Sequence, residues 1–349
     1  MTETACDLVL LVWNHREETA ACLDALLANT DVPSRLLIVD NGSESPTREW
    51  LQTIHGTRRI SVELLRNPEN RGSPGGFNRG LRASQAQYVC ILSNDVQPAQ
   101  GWLEEMLAVA ASDPRIGIVI PSSNTHGQKP PPGMAVSEFA AQLRSTERGW
   151  SEVNFGEFLC MLVSRQVIER IGLIDESYGM AYFDDTDYCR RAQDAGFLCV
   201  RAKAAYVFHL EGRSLKDTWS RTRGRQQQFD RAAQLFASRW GAPQRVAYIL
   251  PNRSRNTWLT LAQDIRSQLQ GFHRVWLFYQ PDGALPDLPR HDDLLLFPVG
   301  GRWFGLKILW RVLIKKKRFH RIVTARGVFG GLLKALRPLH RANVLLRNA

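Results

Sequence analysis

The chain has 349 residues, 44% hydrophobic and 23% charged, which excludes a disordered polymer and allows about two domains. No window approaches the roughly 18 apolar residues of a membrane-spanning helix, and no charged-then-apolar leader opens the sequence, so a cytoplasmic protein is expected. Its formal net charge is +11, carried unevenly: residues 1–240 hold 26 basic and 29 acidic side chains, residues 241–349 hold 19 and 5. The six cysteines include no C-x-x-C pair, which fits reduced thiols and argues against a structural zinc site.

In chain order, short β-branched or leucine-rich runs alternate with longer amphipathic stretches, the pattern of βαβ units and a largely parallel sheet. Residues 7–13 read as a buried strand, 17–28 as a helix and 35–39 as a second strand ending in Asp40-Asn41-Gly42-Ser43. Strands follow at 60–65 and at 87–92, the latter ending in Ser93-Asn94-Asp95. A helix is expected at 101–111 and a strand at 116–120. The proline-rich stretch 128–134 sustains neither and is expected to be a mobile loop. Apolar runs resume at 158–163 and 200–209. Beyond a boundary near Gly241-Ala242-Pro243 the alternation restarts. Strands are expected at 245–250, 274–279, 294–299, 321–325 and 343–346, and helices at 258–269, 303–314 and 328–336.

Ligands of parallel α/β sheets bind outside the carboxyl ends of the strands. Asn14, Asp40, Asn41 and Asp95 fall there, although any one of them also suits a helix cap or a turn. A carboxylate at Asp95 suits a hard divalent cation, Mn²⁺ or Mg²⁺, shared with a diphosphate; a turn aspartate is the other reading. Residues 67–80 (NPENRGSPGGFNRG) offer a glycine-rich approach to a ligand or simply a flexible turn. They match neither the dinucleotide nor the P-loop pattern. Asp184, Asp185 and Asp187 crowd three carboxylates before a helix expected at 188–195. Such a cluster is relieved by a cation or a helix N-terminus, or it supplies a general base of raised pKa.

Six motifs then occur in order: VWNHREE, VDNGS, NRGSPGGFNRG, LSNDV, FDDTDYCRR and HLEGRS. Over about residues 5–215 the chain resembles an inverting family 2 glycosyltransferase, closest to the rhamnosyltransferase-like branch that builds bacterial surface polysaccharides. The resemblance implies a GT-A nucleotide-sugar fold over residues 1–240, a mixed and mainly parallel α/β sheet. It places Asp40 on a pyrimidine base, with Val12, Asn14 and Asn41 near the donor and Asn70, Gly72, Asn78 and Asn94 along the nucleotide-sugar. It makes Asp95 and His209 the metal ligands and Asp185, beside Asp184, the catalytic base. Two departures stand out: Ser93 occupies an acidic or asparagine position of the metal motif, and Asp184-Asp185 replaces a Glu-Asp pair.

The implied activity is transfer of a sugar from a dTDP- or UDP-linked donor to a hydroxyl of a glycan or lipid-linked glycan. A catalytically degenerate scaffold and a nucleic-acid binder are the competing classes; the acid cluster and ordered strand-end motifs do not fit the latter, so no nucleic-acid partner is expected. Residues 241–349 form a smaller, basic, Rossmann-like unit resembling part of the first half of a GT-B transferase. In it Trp303, Phe304, Trp310 and Lys315–Arg318 make either an interfacial helix on an anionic membrane or a core helix followed by a solvated basic stretch.

Overall fold

The computed structural model describes residues 4–210, 223–250, 255–281, 287–301, 303–314 and 318–347. The sequence segments Glu211–Ser214 and Lys315–Lys317 singled out above lie outside the described residues. The chain divides into two compact units, one of residues 1–151 and 155–240, the other of residues 152–154 and 241–349.

The first unit is built on a mixed sheet whose left half is parallel. Strands β1 (Cys6–Val12), β2 (Ser34–Asn41), β3 (Ile60–Asn67) and β4 (Tyr88–Ser93) lie in the order β3-β2-β1-β4. The remaining strands are β5 (Val96–Pro98), β6 (Ile116–Ser123), β7 (Trp150–Glu152), β8 (Cys160–Ser164) and β9 (Leu198–His209). The order continues β8-β6-β9-β5, with β8 antiparallel to both β4 and β6. The near-continuous apolar runs of β1 and β2 follow from burial on both faces of the sheet. One face packs Leu8, Leu10, Leu36 and Ile38 against Leu23 and Leu26 of α1 (Arg16–Asn29) and against Trp102 and Met106 of α4 (Trp102–Ser112). All six cysteines are buried and free.

Successive strands step outward from β1 to β2 and β3, then the chain crosses to the other side to lay down β4. That reversal opens a crevice at the carboxyl ends of β1 and β4. Register aligns those ends: Leu11 pairs with Ser93, and Val12 with Asp40. The polar residues that close the strands therefore meet along one rim.

Helix α7 (Asp184–Asp194) begins a turn earlier than the expected 188–195. All three clustered aspartates lie in its first turn, where the helix dipole favours anions. The sequence reading also passed over α5 (Val136–Thr146) and the helix Arg223–Trp240. The latter is a polar segment anchored by the buried Ala232 and Phe236.

The second unit is a five-stranded, wholly parallel sheet in the order β12-β11-β10-β13-β14. Its strands are β10 (Arg245–Leu250), β11 (Arg274–Tyr279), β12 (Leu294–Pro298), β13 (Arg321–Ala325) and β14 (Asn343–Arg347). The helix Arg255–Gln270 covers one face; the helices Phe304–Ile314 and Val328–Ala335 cover the other. Among the described residues no helix is long and apolar enough to cross a membrane.

Candidate active site

A cleft of about 510 Å³ opens at the carboxyl ends of β1 and β4. Its wall includes Asn41 from the end of β2, Asn70 and Gly72 from the segment after β3, Asn94 and Asp95 after β4, Asp184 and Asp185 from α7, and His209 from the end of β9. Eight of the residues singled out in the sequence thus converge on one cavity. Val12, Asn14, Asp40 and Asn78 do not line it.

Asn41 organises the glycine-rich segment. Its amide donates to Asn70 Oδ1 at 2.9 Å and to the Gly72 carbonyl at 3.1 Å, while its oxygen accepts from Asn67 Nδ2 and the Arg71 N–H. Asn70 Oδ1 also receives the Gly72 N–H at 2.9 Å, so Gly72 opens α3 (Gly72–Ala83) in a fixed pose. That pose has φ +72, and a Cβ there would lie 2.4 Å from the Gly179 carbonyl oxygen; only glycine fits. Ser73 N–H donates to the Met180 carbonyl, which ties this helix start to the segment leading into α7.

Three residues that the resemblance assigns to the donor do not reach the cleft. Asn14 has φ 54 and accepts the Glu44 N–H through Oδ1. Asp40 is 1% exposed; it accepts the Ser43 N–H and pairs with Arg66, the residue opposite it on β3. Asn78 clamps backbone instead: it donates to the Ile174 carbonyl and Glu176, and accepts the Ile174 N–H.

Asp95 and His209 are brought together by strand pairing. β5 runs antiparallel to β9 with Val96 opposite His209, and the Leu210 N–H donates to the Asp95 carbonyl. His209 Nε2 then stands 3.2 Å from Asp95 Oδ2, and the Ser93 hydroxyl donates to Asp95 Oδ1 at 2.6 Å. Asn124, absent from the sequence reading, exchanges two hydrogen bonds with the His209 backbone. Among the described residues no group of three or more His, Cys, Asp or Glu could enclose a metal. One carboxylate and one imidazole on an open cleft nonetheless suit a divalent cation that completes its shell with ligand phosphates and water.

The α7 aspartates differ from one another. Asp187 is fully buried and saturated: Tyr178 Oη and Trp240 Nε1 donate to Oδ1, Arg191 Nε to Oδ2. Asp185 opens toward the cleft and accepts the Thr186 N–H. Its pKa is raised by burial and then by the charges of Asp184 and Glu157, against the Thr186 hydrogen bonds. Asp184 is raised too, by burial first, and among the described residues its Oδ2 has no hydrogen-bond partner. Just ahead of them, Tyr182 and Phe183 hold φ 78 and φ 63, a left-handed conformation that costs bulky residues energy. Phe183 is held there by Phe229 and Phe236 at centroid distances of 5.4 Å each.

Residues 7–172 match the family model described as Glycosyl transferase family 2. The chain carries a family 2 glycosyltransferase domain. Its mixed, mainly parallel α/β sheet is of the class that the sequence resemblance implied. Within this glycosyltransferase region the chain is 28% identical over 193 residues to the pre-mycofactocin glycosyltransferase of Mycobacterium tuberculosis, covering 52% of this chain and 39% of that protein. It is 25% identical over 203 residues to the low-salt glycan biosynthesis hexosyltransferase Agl10 of Haloferax volcanii, covering 54% and 62%. The chain thus spans less than two thirds of the length of these curated relatives. Among solved structures, the mannosyltransferase PcManGT from Pyrobaculum calidifontis, in complex with GDP-Man and Mn²⁺, aligns with a TM-score of 0.48 at 17% identity, over 63% of this chain and 60% of that one.

Proposed function

We propose that the protein is an inverting glycosyltransferase that moves a sugar from a dTDP- or UDP-linked donor to a hydroxyl of a growing bacterial surface glycan, free or lipid-linked. The observation that carries this reading is the convergence, on one cleft at the sheet's crevice, of Asp185 with its raised pKa and the Asp95–His209 pair. The resemblance puts Asp40 and Asn14 at the pyrimidine end of the donor; neither lines the cleft, so they would shape that end through the loop they hold, Asp40 through Ser43 and Arg66 and Asn14 through Glu44. Asn70, Gly72 and Asn94 line the path of the nucleotide-sugar.

Asp185 takes the proton of the acceptor hydroxyl as its oxygen attacks the anomeric carbon. The bond to the donor's diphosphate breaks on the opposite face, so the anomeric configuration inverts and no covalent enzyme intermediate forms. Burial first, then the charges of Asp184 and Glu157, disfavour the charged form of Asp185 and keep it basic enough for that transfer. Asp95 and His209 would hold Mn²⁺ or Mg²⁺, which when bound neutralises charge on the leaving diphosphate. Phe155 and Phe229, 43% and 41% exposed on the cleft wall, offer half-open rings for the apolar faces of sugars.

The test is a nuclear magnetic resonance reading of the product. An anomeric configuration opposite to that of the donor, with turnover lost in Asp185→Asn, is expected. Retention of configuration, or normal turnover in Asp185→Asn, overturns the assignment.

A further inference from the structure

The helix Phe304–Ile314 is apolar on two sides, whereas a helix covering a sheet needs only one. Phe304, Ile308 and Val312 are buried against the second sheet. On the other side Trp303, Leu306, Trp310 and Ile314 are 67%, 62%, 66% and 56% exposed. At 100° per residue, Trp303, Trp310 and Ile314 share a sector roughly 40° wide, Leu306 beside them and Lys307 and Arg311 on the flank. A groove of about 370 Å³ runs along this side, lined by Leu306, Lys307, Leu309, Trp310 and Leu313. The helix Val328–Ala335, on the same face of the sheet, adds Val328 and Leu332, 93% and 45% exposed.

Charge identifies the occupant. From Leu294 to Ala349 the sequence has 13 lysines and arginines and no aspartate or glutamate. Lys307, Arg311 and Lys334 are exposed on the same helices that expose the apolar residues, and Arg337 is exposed just beyond the second of them. An apolar stripe that carries two tryptophans, with Lys307, Arg311 and Lys334 exposed on its helices, matches an anionic bilayer interface, where tryptophan sits at the headgroup level and lysine and arginine meet lipid phosphates. A nucleic acid would use the cations but leave the Trp-Leu-Ile stripe in water, since backbone phosphates have no use for it.

We propose that this face of the second unit docks the protein on anionic lipid, lying in the interface. The inference stands on the second unit alone and holds whatever donor the cleft binds. Co-sedimentation of the full chain with vesicles of equal parts phosphatidylglycerol and phosphatidylethanolamine is the test, with phosphatidylcholine vesicles as the neutral arm. Binding to the anionic vesicles only, weakened by salt, is expected. The double change Trp303→Gln/Trp310→Gln should lower the partition coefficient about tenfold or more. Brominated acyl chains should quench the fluorescence of the unaltered protein, a reading that needs no variant. Equal binding to both vesicles, no binding, or no quenching overturns the proposal. So does an association of protein copies that the double change abolishes while vesicle binding is unaltered, which would assign the stripe to a second copy of the chain.

Discussion

Asp185 and Asp187 sit two residues apart on one helical turn, and their surroundings predict opposite phenotypes. Asp187 accepts hydrogen bonds from Tyr178, Trp240 and Arg191, which ties α7 to the helix Arg223–Trp240. Arg191 is also held by the carbonyls of Ile171 and Leu173, so it stays in place when its partner loses charge. In Asp187→Asn the amide nitrogen meets N–H or O–H donors and the guanidinium faces a neutral group. Breaking a fully buried pair from one side costs about 3–5 kcal/mol. The Arg191 side chain is 23% exposed, and solvent screening brings the expectation to about 2–3 kcal/mol. At about 2–4 °C per kcal/mol for a domain of this size, the melting temperature should fall by roughly 4–12 °C. Asp185→Asn removes a charge that burial, Asp184 and Glu157 all oppose. It should melt at or above the wild-type temperature at neutral pH while losing about 10²–10⁴ in transfer rate. Scanning calorimetry paired with a turnover assay on both variants reads the two axes separately. An Asp187→Asn protein as stable as wild type, beside an Asp185→Asn protein several degrees weaker, would refute the division of roles.

Because burial raises the pKa of Asp185, it is protonated at pH values where a free carboxyl is not; the transfer rate should climb as pH rises through the neutral range. Stability moves the other way: the folded state holds protons that the unfolded chain has released, so it weakens with rising pH over the same window. A flat rate profile in wild type would contradict both. Gly72→Ala should disrupt donor binding and lower the melting temperature, since a Cβ there collides with the Gly179 backbone; wild-type affinity in that variant would show that the segment yields. Ser93→Ala removes the hydroxyl bonded to Asp95 and should weaken the dependence of donor affinity on Mn²⁺ without unfolding the protein, which a titration of metal at fixed donor would measure.

The parts of the site that were legible in the sequence are those where an apolar strand stops on a polar residue. Asn41, Asn94 and Asp95 are of this kind, and strand register then aligns their positions without further help from the sequence. His209 was legible only through the resemblance. What places it is the three-residue strand β5, too short to show periodicity, and the distant Asn124. The acid cluster was visible, but not the sorting of its members. That sorting depends on Tyr178, Trp240 and Arg191 reaching Asp187 and on Glu157 facing Asp185, contacts between segments far apart in the chain. The helix Arg223–Trp240 did carry a signal, with Phe229, Ala232 and Phe236 at helical spacing. Its many arginines and glutamines obscured that stripe. Asn78 is a motif asparagine whose hydrogen bonds go to the Ile174 backbone and Glu176, contacts that its place in the motif does not reveal.

Thermal shift of the full chain against UDP-, dTDP- and GDP-sugars, with Mn²⁺ or with EDTA, asks whether the cleft binds a nucleotide-sugar through the Asp95–His209 pair. A ligand that binds only the folded state raises the melting temperature, and at a hundred times its dissociation constant adds about 2.7 kcal/mol. Such a rise is expected for a uridine or thymidine diphosphate sugar with Mn²⁺, with its reduction by EDTA and its loss in Asp95→Ala. A rise with none of these donors, or a rise that Asp95→Ala and EDTA leave unchanged, would contradict binding through that pair.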